Sequence, residues 1–304
     1  MYLQKIENYQ GEKMKTIHIN SRQLKKYKEL KLSKDIPNTE SIIYEMSKEK
    51  LLKLLFVSDE EDIKEKLSII KLLSKYKKEN NLNELVVPEM VAKSDGLTGF
   101  IMPLITGKNL GVLLKDESKS VTFKLIQLEK IGYFLKKIHS IKEEFHFGDL
   151  HPYNIIVTKK DLKFIDLDCS YLGNTKIFPS MYVVESQTVN RMKDKYKKND
   201  EGWIIPSTNT DLYCYNMMIL EFISKKPIYK LSKIEFKYYI NYLKEIGFDK
   251  KLLEAFSRIY ENEENINPVD LLETLTEEKI LKANYDNLIK KRKTIKEKRW
   301  KQSI

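Results

Sequence analysis

The stretch HFGDLHPYNIIV, residues 146–157, sets Asp149, His151 and Asn154 inside an otherwise apolar run. A buried strand rejects such groups unless each finds a partner, and a solvated loop has no use for the NIIV that follows. The two halves are compatible if the polar residues form a loop and NIIV forms the strand beneath it. After the turn TKKD a second short strand, LKFIDL, ends on Asp166. A hairpin of this length is expected to bring Asp166 back beside Asn154.

That arrangement would assemble one amide and two carboxylates. Such an oxygen-rich set suits Mg2+, which takes a few protein oxygens together with substrate phosphates. Phosphoryl transfer asks for metal, positioning and a carboxylate that orients the attacking hydroxyl. The spacing D-x4-N, then twelve residues to Asp166, supplies those parts.

Working outward, residues 123–141, FKLIQLEKIGYFLKKIHSI, read as a long amphipathic helix running into the opening stretch. Residues 41–57, SIIYEMSKEKLLKLLFV, read as two strands joined by SKEK. Over 60–78, Ile63, Leu67, Ile70 and Leu73 recur at helical spacing, with Asp59 at a cap position. Residues 84–105 alternate as two strands around KSDG. Downstream, 169–208 is irregular and long enough to suggest a functional loop. Helical segments follow at 211–224, 233–246 and 250–261, then a short helix, NPVDLLETL, at 267–275. A β-rich first third and an α-rich remainder imply an α+β protein of two unlike lobes.

Composition sets the outer bounds. The hydrophobic content is 41%, with 18 Tyr and 12 Phe, which favours a packed core over disorder. No apolar run has the length of a membrane span, so no transmembrane segment is expected. MYLQKIENYQ lacks the layout of a signal peptide. Two cysteines, Cys169 and Cys214, give neither a disulfide framework nor a metal site. The expected setting is cytoplasmic. The net charge of +11 is concentrated at the C-terminus, where 289–301, IKKRKTIKEKRWK, carries +7.

GDLHPYNIIV with FIDLD resembles the catalytic loop and metal-binding strand of the protein-kinase-like superfamily. The DLHPxN wording is similar to that of aminoglycoside and choline phosphotransferases. The resemblance implies ATP and Mg2+ as cofactors, with Mn2+ as an alternative ion. It makes Asp149 the catalytic aspartate and Asn154 and Asp166 the metal ligands, with His151 bracing the loop. Lys53, flanked by leucines in EKLLKLLF, needs a partner wherever it is buried. By the resemblance it grips the nucleotide phosphates and pairs with a helix carboxylate, for which Glu65 is the choice and Glu61 the fallback. GFIMPLITGKNL resembles the strand and hinge that hold adenine. Met102 then guards the pocket and the Pro103–Ile105 backbone meets the base. Pro103 has no N–H, so Ile105 would be the donor.

TDLYCYNMMILEFI resembles the central helix of protein kinases, with Asp211 at the place of the aspartate that holds the catalytic loop. A helix N-cap is the plainer role for Asp211. LLEAFSRIYENEENINPVDLLETL resembles the closing helices of the same fold, which favours a protein kinase over an antibiotic or choline kinase. Departures from the pattern are also on the page. The segment before Lys53 lacks glycine, leaving SKDIPNTES as the phosphate-covering turn. Phe147 stands where the family has histidine, with His146 displaced by one. No APE motif closes the 169–208 segment, and Ser180, Tyr182 and Thr188 are hydroxyls there without a distinguishing signal.

The resulting expectation is a bilobal α+β protein-kinase-like fold. Residues 1–103 would form the nucleotide-binding lobe (with an extension at 1–25), 104–280 the catalytic lobe and 281–304 a basic helical tail. The expected activity is ATP- and Mg2+-dependent phosphorylation of a protein Ser or Thr. The alternatives are a pseudokinase acting as a binding module and a small-molecule phosphotransferase. His139 is expected as a packing histidine and Cys169 as a small buried residue. The 289–301 tail would offer a non-specific surface to nucleic acid, an anionic membrane or an acidic partner.

Overall fold

The computed structural model describes residues 14–30, 41–56, 59–142, 144–173, 175–178, 196–261 and 264–302, with side chains to 294 in the last segment. The proposed turn around 33–41 lies almost wholly outside them, and Ser180, Tyr182 and Thr188 lie outside them entirely. The chain is α+β and divides into two compact units. A sheet unit comprises 1–107 and 163–168, and a helical unit comprises 108–162 and 169–304. No helix among the described residues is long and apolar enough to cross a membrane.

The sheet unit contains β1 (Thr16–His18), α1 (Ser21–Leu24), β2 (Lys28–Glu29), β3 (Ser41–Glu45) and β4 (Lys50–Leu55). Then follow α2 (Glu60–Glu79), β5 (Met90–Ser94) and β6 (Leu97–Pro103). The six strands run in the order β1-β5-β6-β4-β3-β2, parallel only at β1–β5. Of the segment assigned in sequence to an extension, 1–25, the described residues contribute a strand and a short helix to the sheet unit. Strand alternation sends Leu52 and Leu54 to one face, where they join Ile19, Ala92 and Ile101 in a core flanked by Leu24, Tyr27 and Tyr44. Lys53 leaves by the other face. Gly99 is required where β6 crosses β4, because a Cβ there would lie 1.9 Å from the Lys53 carbonyl oxygen.

Asp59 caps α2 by accepting the Glu61 N–H at 2.8 Å. Glu60, Glu61 and Asp62 open the helix and Lys77 and Lys78 close it, each complementing the helix dipole. Its buried face is Lys66, Ile69, Ile70, Leu73 and Tyr76. Ile63 and Leu67 are only half-buried, so the inward stripe is rotated from the one expected.

The helical unit opens with β7 (Lys108–Asn109), α3 (Leu110–Lys115) and α4 (Val121–His139). Short strands β8 (Phe145–His146) and β9 (Ile155–Val157) bracket the loop quoted first, and β9 pairs antiparallel with β7. Strand β10 (Leu162–Phe164) carries the chain into the sheet unit, and β11 (Tyr171–Leu172) pairs with β8. Helices α5 (Thr208–Ser224), α6 (Lys233–Glu245), α7 (Lys250–Arg258), α8 (Glu277–Lys282) and α9 (Tyr285–Gln302) follow. NPVDLLETL forms a 3-10 helix, Val269–Thr274, in place of an α-helix.

Helix α5 is the core element: Tyr213, Tyr215, Met217, Met218, Ile219 and Leu220 have no exposed surface. Its polar residues are spent internally. The Tyr215 hydroxyl donates to the Leu128 carbonyl of α4 at 2.8 Å. The buried Asn216 amide donates to the carbonyls of Leu212 and Ile266 at 2.8 and 2.9 Å. Helix α9 docks on α6 through the Lys291–Glu245 ion pair and the Arg292 guanidinium 4.4 Å from the Tyr238 ring centre, and its Leu288 is buried.

Candidate functional site

Lys53 sits on β4 opposite Ile43 and Phe100, between two hydrogen-bonded strands. Its side chain is 10% exposed and forms ion pairs with Asp166 and with Asp168, the latter at 3.1 Å. Both carboxylates reach it because residue 164 is tied into the sheet unit. The Phe164 N–H donates to the Glu84 carbonyl at 2.8 Å, and the Val86 N–H donates to the Phe164 carbonyl at 2.9 Å. Asp168, in a 3-10 turn over Leu167–Cys169, has a second cation, Lys66 of α2, at 2.9 Å.

The helix partner of Lys53 anticipated from sequence is therefore corrected. Among the described residues no ion pair joins Lys53 to Glu65 or Glu61. One residue along α2 is a rotation of about 100°, so with Lys66 on the buried face Glu65 is carried off it. Lys66 and Asp168 are the residues that sequence reading missed. Their signals were a lysine at helical spacing from Ile69, Ile70 and Leu73, and a second aspartate two places after Asp166 in FIDLD.

The two carboxyls have opposite environments. Burial disfavours charge on Asp168, but the adjacent Lys53 and Lys66 ammonium groups outweigh it and hold the carboxyl far below the usual carboxylate range. Asp166 is driven up, to about 6, by desolvation and by the neighbouring Asp168 charge, against the pull of Lys53. Its side chain nonetheless keeps 43% of its surface exposed. Its φ of 59° lies in the left-handed region, which Asp and Asn enter more readily than most residues.

Met102 and Pro103, expected with Ile105 to hold the base, lie at the end of β6. Met102 is 7% exposed, and Pro103 pairs with Lys50. The Leu104 N–H is taken by the Glu49 carbonyl at 2.7 Å. The Ile105 N–H makes no hydrogen bond to the described residues, and Ile105 is half-buried.

In the helical unit, Asp149, His151 and Asn154 meet in one loop. The Asn154 amide donates to both the backbone and the side-chain oxygen of Asp149, each at 3.2 Å. His151 Nδ1 accepts the Tyr153 N–H at 3.2 Å, which leaves Nε2 to carry the proton. That Nε2 lies 3.2 Å from Asp149 Oδ2. His151 thus holds the catalytic-candidate carboxylate and the turn after it at once. Asn109 supports the same turn by donating to the Tyr153 carbonyl, and the Lys115 ammonium donates to the Tyr153 hydroxyl at 2.6 Å.

Asp211 holds the loop from behind. It lies in the first turn of α5, but the N-cap is Ser207, whose hydroxyl accepts the Thr210 N–H at 3.3 Å. The Asp211 carboxylate is free of capping duty and turns to the loop. It accepts the Phe147 N–H at 3.2 Å and a hydrogen bond from His139 Nε2 at 3.1 Å, with His146 Nδ1 3.5 Å away. Burial would raise this carboxyl, but the two histidines more than offset it and hold the group below its usual range. His139, expected only to pack, is a hydrogen-bonding partner here. Phe147 is buried edge-to-face on Phe145, with ring centres 5.1 Å apart. Gly148, at φ +70°, lets the loop pass the Cys169 carbonyl, which a Cβ would approach to 2.1 Å. Cys169 itself is half-buried, and both cysteines are free. Comparison with protein-family models and with curated proteins gave no match.

Proposed function

We propose that the chain is an ATP- and Mg2+-dependent phosphotransferase of protein-kinase-like, bilobal fold, acting on a Ser or Thr hydroxyl of a protein. The observation that carries this reading is Lys53, nearly buried on a central strand and held by Asp166 and Asp168. A lysine in that position is a costly group to bury without a task, and gripping nucleotide phosphates is one.

The supporting parts have separate roles. Asp149 orients the acceptor hydroxyl, and its position is set by His151 and Asn154. Asn154 and Asp166 offer oxygens of the kind Mg2+ takes. The Asn154 Oδ1 has no hydrogen-bond partner among the described residues, because Asp149 engages the Nδ2, and the Asp166 carboxylate is part-exposed. Bound Mg2+ would neutralise phosphate charge during transfer. The Ile105 N–H is a donor open to an adenine ring. Cytoplasm, where ATP and Mg2+ are supplied, is the setting this reading implies, and the basic 289–301 tail is an accessory surface for anionic partners.

Transfer of label from [γ-32P]ATP to the chain itself or to a generic protein acceptor tests the proposal. Wild type should label in the presence of Mg2+, and Asp149→Asn and Asp166→Asn should not. Equal labelling of wild type and both variants sinks it. A second reading, a nucleotide-binding module without turnover, is favoured by Phe147 in the customary histidine place. It predicts thermal stabilisation by ATP with Mg2+ and no label.

A further inference from the structure

We infer that Asp168 and Lys66 form a buried clamp that positions Lys53, with Asp168 as its anchoring carboxylate and Asp166 left as the group that faces ligand. The inference rests on the nucleotide-binding reading above and adds two positioning residues to it. Each oxygen of Asp168 has its own ammonium: Oδ1 lies 3.1 Å from Lys53 Nζ and Oδ2 lies 2.9 Å from Lys66 Nζ. The carboxylate is 5% exposed and Lys66 2%. Asp166, by contrast, is 43% exposed; it pairs with Lys53 and lies against the Asp168 carboxyl.

Charge assigns the roles. With all four groups ionised, two lysines balance two aspartates. A lone Lys53–Asp168 pair would be neutral and closed upon itself, so that Lys53 would have little positive field to spare for a phosphate. Lys66 restores that field. It neutralises Asp168 from the α2 side, so the carboxylate can orient Lys53 without cancelling it. A divalent cation bound at Asp166 would take over that carboxylate and leave Lys53 pointing at phosphate, still fixed by Asp168. Both Asp168 oxygens already face an ammonium, which makes the more exposed Asp166 carboxylate the better placed of the two for a metal.

The test separates positioning from simple structural support. ATP affinity is measured by calorimetry with and without Mg2+, and melting temperature is measured in parallel. The proteins are wild type, Asp166→Asn, Lys66→Met, Asp168→Asn and the double variant Lys66→Met/Asp168→Asn. The double variant removes both charges together, so its melting temperature should recover relative to Lys66→Met. Its ATP affinity should stay about 10- to 100-fold below wild type, the scale on which supporting partners of a binding group act, because Lys53 has lost its anchor. Asp166→Asn should lose the Mg2+-dependent gain in ATP affinity, while the double variant keeps it. A double variant that regains both stability and full affinity overturns the clamp. Loss of the Mg2+ gain in the double variant but not in Asp166→Asn overturns the division of roles. A wild type that binds no ATP overturns the functional reading and the clamp with it, a result distinct from either of the others.

Discussion

Asp168 and Asp211 are two buried aspartates that solve one problem with different partners. Asp168, in the sheet unit, is neutralised by two ammonium charges, Lys53 and Lys66. Asp211, in the helical unit, is satisfied mainly by hydrogen bonds, from the Phe147 N–H and His139, with His146 close by. The first is an ionic lock on a side chain, and the second is a polar brace on a backbone. A charge lock fixes where a charge points. A hydrogen-bonded brace fixes the path of a loop.

Removing the lock should be the larger perturbation. Asp168→Ala takes from both lysines the carboxylate they share, and breaking a buried pair in this way costs about 3–5 kcal/mol. Urea denaturation gives the number, and a loss below that of Asp211→Ala would reverse the comparison. For Asp211→Ala the expected loss is about 1.5–3 kcal/mol, the scale of hydrogen bonds to a charged group. Its mark should be local: amide exchange at Phe147 should accelerate while the amides of β4 stay protected. Uniform acceleration in both units would deny the brace its locality.

Glycines offer a matched pair of smaller insults. Gly99→Ala places a methyl against the Lys53 carbonyl, and Gly148→Ala places one against the Cys169 carbonyl at a left-handed φ. Each should cost about 1–3 kcal/mol. If the chain is the phosphotransferase proposed, Gly99→Ala should weaken nucleotide binding and Gly148→Ala should slow turnover at saturating ATP. The reverse assignment of KM and kcat effects would break the division of labour between the two clusters.

Acid separates the two carboxylates with the smallest effect. Both are depressed in the folded protein, so each adds stability above the unfolded carboxyl value of about 3.9. That stability is lost as pH falls through the folded value. Two fixed ammonium charges hold the Asp168 carboxylate where Asp211 has mainly hydrogen bonds, so the Asp168 share persists further into acid. Melting temperature against pH should therefore go on falling into lower pH in Asp211→Asn, which keeps Asp168, and level off nearer pH 4 in Asp168→Asn, which keeps Asp211. Superimposable curves for the two variants would remove the distinction.

Local pattern carried much of this. The loop from Asp149 to Asn154 was legible because polar residues interrupt an apolar run at fixed spacing. Strands β3 to β6 and helix α2 were legible from alternation and period. What local pattern could not carry was register and partnership. Glu65 follows from the resemblance, which asks for a helix carboxylate, and one residue of rotation gives the inward place to Lys66. Strand β1 pairs in parallel with β5, more than seventy residues away, a contact no short window contains. Asp211 had two readings, loop brace and helix cap, and it took the fold to decide between them: Ser207 four places earlier satisfies the helix end and the Asp211 carboxylate accepts the Phe147 N–H. Nothing in the local pattern singles out Asp168 beside Asp166; burial and the second ammonium from Lys66 do.

The left-handed backbone at Asp166 narrows what can stand there. A β-branched side chain would be forced off that conformation, and alanine would carry a backbone penalty unrelated to its missing carboxylate. Asparagine keeps the shape and tolerates the angle, so it reports on charge alone. Among natural variants of this chain, drift at residue 166 should therefore run through Asn or Gly before any other residue, whether or not catalysis is under selection.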